Sequence, residues 1–280
     1  MTLHQSFVDF FLPPTAGHLW NHHVDNRHAD RQLKAFRTTG ITLMAALLVF
    51  ACDFVVADET DEATNGFVRL FDGKTLDGWE GDEKFWRVED GAIVGQTTDD
   101  NKTAKNTFLI FTKDTVDDFE LRFSYRVKGG NSGIQYRSEV LSKWVVKGLQ
   151  ADFEDQMHEG KDKFSGMFFE ENGRMFMGQR GDVVVVRSNE ANAKKPRLEK
   201  IATVGDPVEL EANIRRDGWN DYTIIAKGNV FIHIINGKVM SIGIDEDELN
   251  ARKSGILAWQ LHAGPPLKIE MKNIRLRRMP

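Results

Sequence analysis

The stretch Phe119-Glu120-Leu121-Arg122-Phe123-Ser124-Tyr125-Arg126-Val127 alternates apolar and polar side chains without a break. A strict period of two puts every apolar side chain on one face of an extended chain, so it predicts a half-buried antiparallel strand. Shorter runs of the same character lie at 86–88, 92–96, 133–137, 166–170, 183–187, 222–227, 230–235, 256–261 and 267–276. Turn signals separate them: Asp72-Gly73, Asp90-Gly91, Gly129-Gly130, Asn172-Gly173, Lys227-Gly228 and Asn236-Gly237. Asn236-Gly237 is the strongest, because a type I′ hairpin turn needs two central residues that tolerate positive φ. No segment has long helical periodicity; single turns are expected only at 112–116 and 245–249. About ten short strands with turns roughly every 8–12 residues predict an all-β sandwich or barrel.

The N-terminal part is read as targeting sequence. Residues 41–51 form an apolar run well short of the ~20 residues a bilayer span requires, preceded by Arg31, Lys34 and Arg37. Val55 and Ala57 supply the small residues of a cleavage site. The expected organisation is an N-terminal extension and signal peptide over 1–57, a short acidic linker over 58–65 and one domain over 66–280. A periplasmic or secreted protein with no membrane span after processing follows. The alternative, a lipidated Cys52, is weakened by the bulky Phe50 before it. Five of the eight histidines (His4, His18, His22, His23 and His28) precede the apolar run. They are read as upstream sequence rather than as a metal-binding tail. Cys52 is the only cysteine, which excludes a disulfide framework and a thiolate metal site. The net charge of −5 supplies no basic field and argues against nucleic acid as a partner.

Six motifs occur in order along the presumed mature chain. They are 67–79 (FVRLFDGKTLDGW), 86–93 (WRVEDGAI), Asn131-Ser132-Gly133-Ile134, Gly148-Leu149-Gln150-Ala151-Asp152, Glu170-Glu171-Asn172-Gly173-Arg174 and 255–262 (GILAWQLH). Together they resemble the 3-keto-disaccharide hydrolase domain family of bacterial proteins, over about residues 66–279. The resemblance implies a concanavalin A-like jelly-roll β-sandwich of two antiparallel sheets. It also implies a carbohydrate partner and a role in cleaving glycosides oxidised at carbon 3.

The segment 150–155 (QADFED) carries the most chemistry. On a strand, Gln150, Asp152 and Glu154 share one face while Ala151 and Phe153 share the other. The two carboxylates are then about 6.5–7 Å apart along the strand. This is similar to the alternating acidic strand of laminarinase-type glucanases, with Gln150 where those enzymes carry a carboxylate. Direct glycoside hydrolysis uses such a pair; a solvated edge strand with ordinary surface acids is the other reading. A 3-keto sugar offers a second route: the ketone acidifies the hydrogen on carbon 2, a base removes it, the group on carbon 1 leaves and water adds. His262 is the candidate base, since imidazole titrates near neutral pH; a loop histidine capping a carbonyl is its alternative. Asp152, Glu154 and His262 are thus the catalytic candidates.

The substrate-binding candidates are Asn131, Arg137, Trp144, Gln150, Glu170, Arg180 and Gln260. Gln260 shares the face of His262, and Arg137 is placed on the side of Gln135. Asn131 is read either as a sugar ligand or as a shaper of the Gly129-Gly130 turn. Arg180 either donates to a sugar oxygen or pairs with Glu170, and Trp144 is either a stacking platform or core. His158 and His233 carry less information, and His233 is expected to face solvent. No diagnostic ligand spacing is present, so no metal and no cofactor are predicted, while a divalent cation on Asp152, Glu154 and His262 stays open. The rivals to an enzyme are a lectin-like module without turnover and a groove for a protein partner.

Overall fold

The structure, a computed structural model, describes residues 65–155 and 163–280. The expected signal peptide, the cleavage after Ala57, the lipidation alternative at Cys52 and His158 lie outside the described residues. The chain from 65 onward folds into two sheets. The ten-stranded sheet runs β12 (Arg197–Thr203), β11 (Asp182–Arg187), β15 (Lys238–Glu246), β14 (Val230–Ile235), β13 (Asn220–Lys227), β6 (Phe119–Lys128), β17 (Lys268–Arg278), β4 (Ala92–Gln96) and β3 (Trp86–Glu89), with β1 (Val68–Arg69) also on β17. The seven-stranded sheet runs β10 (Met175–Gly178), β9 (Phe168–Glu171), β8 (Val145–Glu154), β7 (Asn131–Ser142), β16 (Ile256–Leu261), β5 (Thr107–Phe111) and β2 (Trp79–Glu80). This is the jelly-roll sandwich that the resemblance implies. Pairing is antiparallel except between β11 and β15, where Val183 to Arg187 run parallel to Ile242 to Glu246.

The nine alternating residues of β6 put Phe119, Leu121, Phe123 and Tyr125 into the core. They meet the inner face of the seven-stranded sheet: Phe123 packs edge-on against Trp259, with ring centroids 4.6 Å apart, and Tyr125 lies 4.3 Å from Phe153. Each fully buried side chain of this size contributes about 1.5–3 kcal/mol. Asn236 and Gly237 take φ of 49° and 77° between β14 and β15, the conformation a type I′ turn requires. The only helix among the described residues is α1 (Pro207–Glu211), capped by Asp206, which accepts from the N–H groups of Val208 and Glu209. The turn expected at 245–249 is found slightly further on, where the Ala251 N–H donates to the Asp247 carbonyl (2.8 Å), and 112–116 forms none.

His233 departs from the expectation of a solvent-facing residue. On β14, Phe231, His233 and Ile235 are buried, while Ile232 and Ile234 are half-exposed. The imidazole bonds the Tyr136 hydroxyl through Nε2 (3.0 Å) and the Met167 carbonyl through Nδ1 (3.1 Å). Burial lowers its pKa to about 4, outweighing the carbonyls of Met167 and Gly166, so it is neutral at pH 7.

One feature of the seven-stranded sheet shapes everything on its outer face. Leu109, Phe111, Leu257 and Trp259 point inward, so Phe108, Ile110 and Ala258 point outward, yet all three are buried. Val146 covers them, forming a small second apolar cluster. It reaches them because the β7–β8 hairpin, bulged at 136–139 and 140–142, doubles back across β16. The Phe108 N–H donates to the Trp144 carbonyl at the hairpin tip (3.1 Å). Glycine makes the close approach possible: a Cβ on Gly148 would stand 2.6 Å from Cα of Ser138.

Candidate functional site

Alternation on β8 sends Ala151 and Phe153 into the core, where both are fully buried, and turns Gln150 and Asp152 outward. On β16 the same rule buries Trp259 and Leu261 and turns Gln260 outward, with His262 following on that side. Gly133 of β7 pairs with Asp152. Any Cβ there would come within 2.5 Å of Cγ of Gln150, so the bare backbone leaves the floor open. Above it is a cavity of about 310 Å³, whose polar floor includes Asn106, Asn131, Gln150, Asp152, Glu171, Gln260 and His262.

The wall is aromatic. Phe164 stacks on Phe176 with centroids 5.6 Å apart and planes 19° apart, and Phe176 also meets Phe169 at 4.9 Å. Phe176 is 46% exposed and Met175 51%, both at the cavity rim. Exposed ring faces beside hydrogen-bonding groups suit a sugar, whose C–H faces stack while its hydroxyls bond.

The doubled-back hairpin places Glu171. Its strand neighbour is Gly148, so as β8 bends across the sheet, the end of β9 follows it over β16. Glu171 accepts there from Asn106 Nδ2 (3.1 Å) and Gln260 Nε2 (3.0 Å). Burial raises its pKa above the usual carboxylate value, opposed by Asn106, nearby His262 and Gln260. His262 Nδ1 lies 2.5 Å from the Ala263 carbonyl. A carbonyl only accepts, so Nδ1 carries a proton, which leaves Nε2 as the ring nitrogen able to exchange one with a substrate. Gln150 donates to the Asp152 carboxylate at 2.5 Å.

Of the residues singled out in the sequence, Asp152, His262, Asn131, Gln150 and Gln260 meet in this cavity. The others do not. Glu154 shares the strand parity of Asp152 but ends the strand, and its carboxylate accepts from the N–H groups of Lys163 and Phe164. Arg137 sits at the β7 bulge with φ of 47°, which breaks the alternation. Its guanidinium is turned to Asp118 and to the carbonyls of Asp117 and Gly228 instead. Trp144 occupies the hairpin tip at φ 56°, under the ammonium of Lys143. Glu170 points between the sheets, where it pairs with Arg174 (2.7 Å), itself bound to Asp245 and Asp247. Arg180 bonds the carbonyls of Ser165 and Pro207 and pairs with Glu211, not Glu170.

Asn106, Glu171, Phe164 and Phe176 are the site residues that sequence reasoning passed over. Among the described residues no group of three His, Cys, Asp or Glu side chains is arranged to hold a metal ion.

The model of the 3-keto-alpha-glucoside-1,2-lyase-like domain matches residues 66–277. The chain belongs to that family. A 3-keto-disaccharide hydrolase of Bacteroides thetaiotaomicron is 40% identical over 88 residues, which make up 28% of this chain and 30% of that protein. The match therefore spans less than a third of the relative's length. Among solved structures, a candidate glycosyl hydrolase from Parabacteroides distasonis superposes with a TM-score of 0.50 at 18% identity. That superposition covers 79% of this chain and 97% of that one, a likeness of fold. The matched residues include every residue that lines the cavity, from Asn106 to His262, and all of the sandwich but the last residue of β17.

Proposed function

We propose that the cavity cleaves glycosides whose sugar carries a ketone at carbon 3, by elimination and addition of water. The observation that carries this reading is His262: a histidine whose Nδ1 proton is held by a backbone carbonyl, opening on a sugar-sized cavity with an aromatic wall. His262 Nε2 takes the hydrogen from carbon 2, and the electron pair expels the oxygen on carbon 1. Asp152, in the same cavity, is the second proton carrier, serving the leaving oxygen and the water that later adds. The amide of Asn131 is the donor for the enolate oxygen. Family membership and the Bacteroides thetaiotaomicron relative support the choice of substrate.

The test is isotopic. Substrate deuterated at carbon 2 is expected to react more slowly or to exchange its label with water, and His262→Ala to stop both exchange and cleavage. An unoxidised disaccharide should be inert. Retained label together with an active His262→Ala protein would end the elimination reading and favour two-carboxylate hydrolysis. The stacked Phe164–Phe176 pair, with Phe176 exposed, also suits a lectin-like module; a protein that binds sugars and turns none over would be that. The basic residues, short apolar run and Val55/Ala57 pattern support export, which N-terminal sequencing of native protein tests by a start near Asp58.

A further inference from the structure

Gln260 is 1% exposed and lines the cavity, and its Oε1 has no hydrogen-bond partner among the described residues. Amide oxygens and nitrogens are easily interchanged, but here a chain of fixed donors settles the orientation. The backbone N–H of Ala263 can only donate, so the Asn106 atom it meets (3.0 Å) is Oδ1. Asn106 Nδ2 is then left to donate to Oε1 of Glu171. The other oxygen of that carboxylate takes Nε2 of Gln260. What remains is Oε1 of Gln260, a buried acceptor without a donor, on a side chain that lines the cavity. A buried carbonyl oxygen without a donor costs free energy that a bound O–H group recovers.

We propose that Gln260 Oε1 accepts one hydroxyl of the bound sugar, held in that orientation by Glu171 and Asn106, and so reads a carbon that is not oxidised. A ketone oxygen has no proton to offer and is repelled by this acceptor, so the ketone is seated elsewhere in the cavity. Glu171 is a positioning residue in this scheme: it acts through Gln260 rather than on the sugar. The inference rests on the reading that the cavity holds a sugar.

Calorimetric titration of the full chain with methyl 3-keto-glucoside and its 2-, 4- and 6-deoxy analogues tests it. One deoxy analogue is expected to bind wild type about 100-fold more weakly than the parent, because a site built to bond a hydroxyl rejects the analogue that lacks it. The other two should bind nearly as the parent does. In Gln260→Met, which keeps length and loses the acceptor, the parent should fall to the level of that analogue. Glu171→Gln should raise KM by a larger factor than it lowers kcat and shrink the discrimination, and Glu171→Asp should restore part of it. Equal binding of all analogues by wild type overturns the proposal, whether or not the variants fold, and so does discrimination that survives in Gln260→Met. Selective binding without cleavage would sink the proposed reaction alone, and cleavage without selectivity would sink this inference alone.

Discussion

Asp152 and Phe153 are adjacent, and the pleat sends them to opposite sides. Asp152 reaches the cavity, while Phe153 fills the core against Tyr125. Asp152→Asn is therefore expected to abolish sugar cleavage while moving the melting temperature by no more than about 2 °C, as for a side chain outside the core. Phe153→Ala should destabilise by about 3–5 kcal/mol, read by urea denaturation. An unfolded Asp152→Asn protein, or a fully active one, contradicts this placement. These two residues were legible in the sequence because Ala151 and Phe153, like Trp259 and Leu261, mark the inner face by their own hydrophobicity. On β9 the run Phe168-Phe169-Glu170-Glu171 carries no such mark: two apolar residues are followed by two acids, and either parity satisfies it. The structure buries Phe168 and Glu170 between the sheets, so Glu171 faces the cavity. Arg137 was illegible for a different reason, since positive φ at a bulge cannot be read from alternation.

At the level of elements, the β7–β8 hairpin does the most to define the cavity. It covers one part of the outer face with Val146 and carries Glu171 over β16. Gly148 is where that bend allows no side chain, since even Cβ of Ser138 would lie 2.6 Å from an added Cβ. Gly148→Val should force the hairpin away from β7, destabilising by about 1–3 kcal/mol and weakening sugar binding together. Titration beside a thermal melt checks this, and unchanged sugar affinity would show that Glu171 does not depend on the hairpin. The strands on either side of this bend were visible as alternating runs. The bend itself was not, because 139–142 (EVLS) reads as more strand, and only the approach to β5 shows that it crosses over.

For the molecule as a whole, the sandwich was legible and the order of its strands was not, since pairing partners are set by long-range packing rather than local pattern. The buried polar link between the sheets, Tyr136 to His233 to Met167, gives that packing a pH dependence. Folded His233 stays neutral down to about pH 4, whereas in the unfolded chain it takes a proton near pH 6.5. Between those values acid favours the unfolded state, so this group's contribution is present at pH 7 and is lost progressively as pH falls to 4. The loss amounts to about 3 kcal/mol. Urea unfolding across that range should show it, and His233→Gln should flatten the curve by that amount; an unchanged slope would mean another group governs it. Strand order has a further consequence, in time rather than space. β16 lies between β7 and β5, and β17 between β6 and β4, so the last two strands to be synthesised form the interior of both sheets. A chain truncated after Gly255 should therefore show no cooperative melt. Cooperative folding of this domain therefore waits until both strands have left the ribosome, a delay that long-range strand pairing imposes.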